Sequence, residues 1–255
     1  MDVLQLLQPS SLVLYLLVAL RTSAAMAVGP LAAWPGVSFP SRVLLGLGIA
    51  LALAPSVPTA VPAVQLRLGS TVMIQELALG LFVGTGSTLL VSALQFVAGL
   101  IDFQAGFSFG STVDPMAGRE SGPIERFLGA FAAVLFFDLN GHQLFLLSLD
   151  NLFQIVPVGG TPRLAGPDSV AHFLTAIVVA ALAMALPIVT LLLLLDLALA
   201  LVSRAAPQFN LFAIGLPARV GAALIVLALL LPVTATQLEY LLGHLPDVLS
   251  ILVRR

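Results

Sequence analysis

The sequence lacks several residue types, and each absence excludes a class of function. It contains no cysteine, which excludes disulfides, thiol nucleophiles and cysteine-ligated metals. It contains no lysine either, and a net charge of -2 gives no basic surface for nucleic acid. The histidines lie on different segments and lack the spacing of metal ligands. They are His142, His172 and His244. We therefore expect no metal, no cofactor and no nucleic-acid partner.

Charged residues of either sign are also scarce. Only 9% of the 255 residues are charged and 60% are hydrophobic, with a mean hydropathy of +1.12. Soluble domains carry about 25% charged residues. The N-terminal sequence MDVLQLLQPSS has no basic region of the kind that opens a cleaved signal peptide, so we expect the first apolar segment to remain. The composition predicts an integral membrane protein in contact with lipid or with partner helices.

The apolar residues fall into long segments that predict an all-α, polytopic protein. There are six, at about 11–34, 43–61, 72–101, 127–149, 169–203 and 209–242, which predict six spans, or five and a hairpin. The second is short and ends in several prolines. The third carries Gly80 and Gly84, a small-xxx-small pair that lets another helix approach closely. We expect Pro187 to bend the fifth, and Gly215, Pro217 and Arg219, then Pro232, to interrupt the sixth.

A polar stretch separates the third and fourth segments. Residues 102–123 read DFQAGFSFGSTVDPMAGRESGP, and four glycines with two prolines prevent one continuous helix. The stretch also holds Phe107 and Phe109 between its glycines, and several charges. A polar, aromatic loop within an apolar chain is the first candidate for function, and we call residues 102–123 the central loop.

Four charged residues lie within the apolar segments: Arg21, Glu76, Asp138 and Asp196. Such residues face a bundle interior, a cavity or a partner, because lipid does not solvate them. One interpretation is a proton or ion pathway, as in a proton-coupled transporter that depends on Asp138 and Asp196. The other is pairing between helices, for example of Arg21 with one of the acids. We favour pairing, because the acids are isolated on separate segments.

Residues 106–110, GFSFG, match the nucleophile motif G-x-S-x-G. That motif works at a strand–turn–helix junction, which this sequence does not predict. An intramembrane serine protease would instead need His142 or His172 as the base for Ser108. The spacing permits this arrangement without favouring it, so we expect a protein that is not an enzyme.

A second polar cluster follows the fifth segment. Residues 203–217 read SRAAPQFNLFAIGLP, with polar side chains and prolines between apolar runs. These side chains can satisfy backbone groups where a helical hairpin turns at membrane depth.

Four motifs together carry a resemblance to a known family. They are QAGFSF with VDP in the central loop, NGH at 140–142, PVGG at 157–160, and R-x-x-P-Q-x-N-x-F-x-I-G-x-P at 204–217. In combination, and over essentially the whole chain, the sequence resembles the FliR family of flagellar export-gate proteins, whose injectisome relative is SctT. It departs from the family pattern in the proline-rich residues 55–62.

The resemblance implies a single domain of long, kinked helical hairpins. Its FliP-like part would cover about residues 1–165 and its FliQ-like part about 166–255. The family forms the core of the flagellar type III protein export gate with FliP, FliQ and FlhB, in the bacterial inner membrane and basal body. Unfolded substrates pass through this gate. The alternative is an injectisome subunit of the SctT type, and a remote one is the intramembrane serine protease.

The resemblance also implies roles for two sets of residues. The first would be the plug of the pore, with Phe107 and Phe109 restricting it: Gln104, Gly106, Phe107, Ser108, Phe109, Gly110, Asp114 and Pro115. The second would be the helix-turn motif on which assembly depends: Arg204, Pro207, Gln208, Asn210, Phe212, Gly215 and Pro217.

Overall fold

A computed structural model of the protein describes residues 9–34, 36–60, 69–107, 121–161, 163–164, 166–206, 211–243 and 253–254. Seven α-helices account for most of these residues. They are α1 Pro9–Val28, α2 Phe39–Leu53, α3 Ser70–Ala105, α4 Pro123–Asp138, α5 Gly141–Ile155, α6 Pro167–Ala205 and α7 Leu211–Gly243. A 3₁₀ helix, Pro30–Ala33, follows α1, and strands β1 Arg163–Leu164 and β2 Val253–Arg254 pair antiparallel. The all-α prediction is confirmed.

The described helices support fewer membrane spans than six. Three stretches are long and apolar enough to cross a bilayer, namely Ser11–Ala33, Ser70–Ala105 and Asp168–Ala205. Counting each of two bent helix pairs as one span raises the number to five. Helix α2 has 15 residues, fewer than the roughly 20 that cross a hydrocarbon core. The described part of the second segment is therefore an apolar helix shorter than a bilayer span.

The predicted fourth segment is two helices rather than one. Helices α4 and α5 meet at 65°, and Asn140 lies between them with φ 55°. Asparagine tolerates this left-handed conformation better than most residues. The carbonyl of Asn140 then accepts the N–H groups of Gln143 at 2.9 Å and Leu144 at 3.0 Å, which starts α5. The motif NGH is thus the corner between two helices.

The two C-terminal helices continue through most of the residues that the sequence marks as breaks. Helix α6 continues through Pro187 for 39 residues, about 58 Å at 1.5 Å per residue. Helix α7 likewise continues through Gly215, Pro217 and Arg219. It bends by 51° between Ile214–Leu229 and Leu231–Tyr240, next to Pro232, the last of the interruptions that the sequence predicts. A proline lacks the N–H of the helical ladder and clashes with the carbonyl four residues earlier, which explains a bend there.

The chain forms two compact units, each built from separate parts of the sequence. The first comprises Met1–Val91, Phe137–Thr175 and Leu241–Arg255, and the second comprises Ser92–Phe136 and Ala176–Tyr240.

Glycines bring the helices of the first unit into close contact. A Cβ atom on Gly84 would lie 2.5 Å from the carbonyl oxygen of Ala25, and one on Gly80 would collide with the carbonyl oxygen of Arg21. The small-xxx-small prediction for α3 is therefore confirmed, and the neighbouring helix is α1. On the other side of α1, Gly46 of α2 lies so close that its Cβ would be 2.5 Å from the Cα of Ser23.

Side chains also satisfy the carbonyl groups at the C-terminal end of α1. Nη1 of Arg42 donates to the carbonyl of Ala27 at 2.6 Å. The hydroxyl of Thr88 donates to the carbonyl of Val28 at 2.5 Å. The last carbonyls of a helix have no partner within it, so these two bonds tie the end of α1 to α2 and α3.

Candidate functional site

The central loop begins later than the sequence predicts, because α3 continues to Ala105. Gly106 has φ 88°, and its N–H donates to the carbonyl of Phe103 at 3.2 Å. The N–H of Phe107 donates to the carbonyl of Asp102 at 3.0 Å. This pair of bonds with a glycine in the left-handed region is a Schellman motif, which ends a helix. Gly106 is therefore needed to terminate α3.

The side chain of Asp102 holds the other end of the loop. Its Oδ1 accepts the N–H of Ile124 at 3.1 Å, and its Oδ2 accepts the N–H of Glu125 at 2.7 Å. These N–H groups belong to the first turn of α4 and have no partner within that helix. Asp102 is 1% exposed. The carboxylate thus caps α4 from the end of α3.

The structure describes three of the eight residues predicted to form the plug. Gln104 lies in the last turn of α3, and Gly106 and Phe107 follow it; all three are partly buried. Five residues of the predicted plug lie outside the described residues: Ser108, Phe109, Gly110, Asp114 and Pro115. The geometry of a Ser108–histidine pair is therefore not described either. Of its two candidate bases, His172 is exposed on α6, while the ring of His142 lies 5.6 Å from that of Phe137.

Arg21 and Glu76 form an ion pair inside the first unit. Nε of Arg21 lies 2.6 Å from Oε2 of Glu76, and the two side chains are 0% and 1% exposed. The guanidinium also donates through Nη1 to the carbonyl of Val156 at 2.8 Å, and its Cζ lies 4.3 Å from the centre of the Phe153 ring. These contacts join α1, α3 and the end of α5. This is the pairing with an acid that the sequence suggested for Arg21.

The PVGG motif packs against the same ion pair. The N–H of Gly159, which has φ 78°, donates to Oε1 of Glu76 at 3.0 Å. Val158 makes two backbone hydrogen bonds of 3.0 Å, to the carbonyl of Pro58 and from the N–H of Ala60. The turn after α5 is therefore held by α3 and by the proline-rich stretch that follows α2. Sequence reasoning found the motif but not its partners.

Asp196 has a partner that the sequence did not indicate. Its Oδ1 lies 2.5 Å from Nε of Arg219, and the side chains are 29% and 38% exposed. The pair joins α6 to α7 within the second unit. Asp138, by contrast, lies exposed at the C-terminal end of α4. Of the four predicted intramembrane charges, Arg21 and Glu76 pair with each other, and Asp196 pairs with Arg219.

The helix-turn motif lies at the junction of α6 and α7. Arg204 is exposed in the last turn of α6, where a positive charge complements the helix dipole. Pro207, Gln208 and Asn210 lie outside the described residues. Phe212, Gly215 and Pro217 belong to α7, so the second half of the motif is helical and not part of the turn.

Helices α6 and α7 expose many large apolar side chains. On α6 they include Leu193, Leu194 and Leu197, and on α7 Ile225 and Leu229, each between 54% and 71% exposed. An apolar surface of this extent on long helices requires lipid or partner helices around it. Together with the three stretches long and apolar enough to cross a bilayer, it defines the chain as a multi-pass membrane protein.

Comparisons with known proteins identify the family. Residues 12–245 match the family model described as "Bacterial export proteins, family 1". The flagellar biosynthetic protein FliR of Escherichia coli K12 is 31% identical over 240 residues, 93% of this chain and 91% of that protein. FliR of Pectobacterium carotovorum is 31% identical over 82% of each chain. The surface presentation of antigens protein SpaR of Salmonella typhimurium is 30% identical over 62% of this chain and 59% of that protein.

The chain belongs to the FliR/SctT family of bacterial export proteins. It is a multi-pass membrane protein of the flagellar export apparatus and a subunit of a type III export complex. The family consists of structural export-gate proteins and not of known enzymes.

Proposed function

We propose that the chain is a core subunit of the flagellar type III export gate, located in the bacterial inner membrane within the flagellar basal body. With FliP and FliQ it forms the pore through which unfolded flagellar proteins pass, and FlhB contacts this assembly. The observation that carries the proposal is the FliR match over 93% of this chain. The match to SpaR covers 62%, which favours a flagellar gate over an injectisome gate of the SctT type.

Within this gate, residues 104–115 act as the plug, and Phe107 and Phe109 restrict the pore. Aromatic rings in a narrow pore favour its dewetting, which blocks ions. The proposal is supported by the tethered ends of the central loop. Phe107 follows directly on the Schellman motif at Gly106, and Asp102 binds the first turn of α4 at the loop's other end. Both ends of the central loop that contains the plug are thus attached to helices.

The chain transports without catalysing a reaction of its own. The proton motive force and the partner subunits supply the energy for export. The exposed apolar faces of α6 and α7 support an obligate assembly, because a chain that worked alone would need lipid against all of them. An isolated proton-coupled transporter would instead show substrate flux without partners.

Ion leakage tests the plug assignment. The complex with FliP and FliQ is reconstituted in planar bilayers, and its conductance is compared with that of Phe107→Ala/Phe109→Ala and of a deletion of residues 106–118. Both variants should raise the conductance at unchanged assembly. Phe127→Ala is the matched control, since Phe127 is a half-exposed aromatic of α4 outside the plug. Unchanged conductance in both loop variants would contradict the plug assignment.

Co-purification tests the assembly motif separately. Pro207→Leu, Gln208→Ala and Asn210→Ala should each reduce recovery of FliP and FliQ with this chain. The control is Gln143→Ala, because Gln143 is exposed on α5. Full recovery of both partners in all three variants would remove the motif from the assembly surface.

Two further measurements separate the alternatives. Restored swimming of a bacterium that lacks its own FliR would support the flagellar gate, whereas restored injectisome secretion alone would support SctT. Ser108→Ala should leave export unchanged. Loss of a proteolytic activity in that variant, with the complex intact, would favour the intramembrane protease.

A further inference from the structure

Asp102 contacts both ends of the central loop. Its backbone carbonyl accepts the N–H of Phe107 at 3.0 Å, where the chain leaves α3. Its carboxylate accepts the N–H groups of Ile124 and Glu125 at 3.1 and 2.7 Å, where the chain enters α4. One residue therefore fixes the direction in which the chain leaves and the point to which it returns.

The position of Asp102 relative to α4 is that of an N-cap residue supplied by another helix. Gly122 is the N-cap in sequence, since its carbonyl accepts the N–H of Arg126 at 3.0 Å. An N-cap side chain accepts the N–H groups two or three positions into the helix, but Gly122 has no side chain. The Asp102 carboxylate occupies that position, and a Cβ on Gly122 would collide with it.

We propose that Asp102 is the positioning residue of the plug. It couples the point where the chain leaves α3 at Phe107 to the start of α4, so that the two ends of the central loop are held together. This inference rests on the proposed function of residues 104–115 as a plug. A local N-cap would satisfy α4 equally well without connecting it to α3, so the helix alone does not require Asp102.

The burial of Asp102 makes this connection specific. A buried carboxylate is costly unless hydrogen bonds satisfy it, and Asp102 is 1% exposed with both oxygens bonded. Moving the first turn of α4 away from Asp102 would leave a buried charge without its donors. Bonds from backbone N–H groups to an ionised carboxylate are also stronger than neutral ones. The arrangement of the loop's two ends therefore depends on an intact cap.

A double substitution separates positioning from helix stability. Asp102→Ala removes the tether and the cap together. Asp102→Ala/Gly122→Asp removes the tether and supplies a local cap, because aspartate is a favoured N-cap residue. We expect both variants to leak as much as the loop deletion, whereas only the double variant should regain the thermal stability of the parent complex.

The interaction with Phe107 provides a second readout. If Asp102 acts through the plug, Phe107→Ala should add no further conductance to Asp102→Ala/Gly122→Asp. Asp102→Asn keeps one acceptor oxygen and should leak less than Asp102→Ala. Gly122→Ala should raise conductance, since its Cβ displaces the carboxylate. Its matched control is Gly129→Ala, because a Cβ on Gly129 in α4 has no neighbour within 4 Å.

The outcomes distinguish this inference from the proposed function. If the deletion of residues 106–118 does not leak, the plug assignment fails. If the deletion leaks but the assembled double variant seals like the parent, only the role of Asp102 fails. Additive leakage from Phe107→Ala would also overturn it. If the double variant does not assemble with FliP and FliQ, then Asp102 is needed for assembly itself and the positioning role is rejected.

Discussion

Nε of Arg21 donates to Oε2 of Glu76 at 2.6 Å across 55 residues of sequence, and the pair is buried between α1 and α3. The same two side chains bind the carbonyl of Val156 and the N–H of Gly159. The turn after α5 therefore depends on a charge pair supplied by two other helices. This arrangement explains why charged residues occur in two of the most apolar segments of the chain.

Removing one member of this pair should destabilise the protein strongly. Glu76→Ala leaves the Arg21 guanidinium buried without its counter-charge, a change that costs about 3–5 kcal/mol in comparable buried pairs. We expect a lower unfolding temperature of the detergent-solubilised complex, measured by intrinsic fluorescence. Arg21→Met/Glu76→Leu should be less damaging than Glu76→Ala, because no charge remains unpaired. The control Glu239→Ala, at an exposed position of α7, should have little effect; equal losses in Glu76→Ala and Glu239→Ala would contradict the importance of the pair.

Two glycines of α2 should respond in opposite ways to the same substitution. The Cβ of Gly46→Ala would lie 2.5 Å from the Cα of Ser23, so α1 and α2 would have to separate. Such overpacking costs about 1–3 kcal/mol. Gly48 has open space at its Cβ, and alanine there favours the helix by up to about 1 kcal/mol. Thermal unfolding should show a loss for Gly46→Ala and none for Gly48→Ala; a loss of equal size in both would contradict the close α1–α2 contact.

The Asp196–Arg219 pair should be replaceable by its reverse. Asp196→Arg or Arg219→Asp alone places two like charges where Asp196 and Arg219 are now in contact at 2.5 Å. The surrounding leucines are exposed to an apolar environment, in which such charges are poorly solvated. The double variant Asp196→Arg/Arg219→Asp restores opposite charges. We expect reduced accumulation of the complex in each single variant and partial recovery in the double. Equal accumulation in single and double variants would show that the pair does not couple α6 to α7.

The corner between α4 and α5 should be sensitive to backbone conformation rather than to side-chain chemistry. Asn140 has φ 55°, which glycine adopts freely and β-branched residues avoid at a cost of about 1–2 kcal/mol. Asn140→Gly should therefore retain stability and swimming, and Asn140→Val should reduce both. Swimming-zone diameter and thermal unfolding measure the two effects. A damaging Asn140→Gly with a harmless Asn140→Val would point instead to a role of the amide group.

Local sequence patterns predicted the helices well but their ends poorly. The apolar runs located α1, α3, α6 and α7, because helices of this length are determined by composition over many residues. The breaks between helices were harder to predict from the sequence. Helix α6 is continuous through Pro187, whereas Asn140 turns the chain by adopting a left-handed conformation. Proline content alone does not decide whether the surrounding packing keeps a helix continuous.

The candidate site was partly visible in the sequence. Its glycines, aromatics and charges distinguished the central loop, and the FliR resemblance gave the loop a role. The cap that Asp102 provides to α4 was not visible, because no spacing rule connects residues 22 and 23 positions apart. Gly122 was a signal of this cap. A helix whose N-cap residue lacks a side chain needs an acceptor from elsewhere for its first N–H groups.

Composition, hydropathy and local motifs were enough to indicate an all-helical membrane protein of the export family. Composition and hydropathy are sums over many residues, and motifs are local, so neither needs knowledge of contacts. Three contacts depend on how the chain folds in three dimensions: Arg21 with Glu76, Asp196 with Arg219, and Asp102 with both ends of the central loop. Each of these contacts joins two helices. The packing of the helices determines which partner a buried charge has, as where Gly80 and Gly84 allow α3 to approach α1 closely.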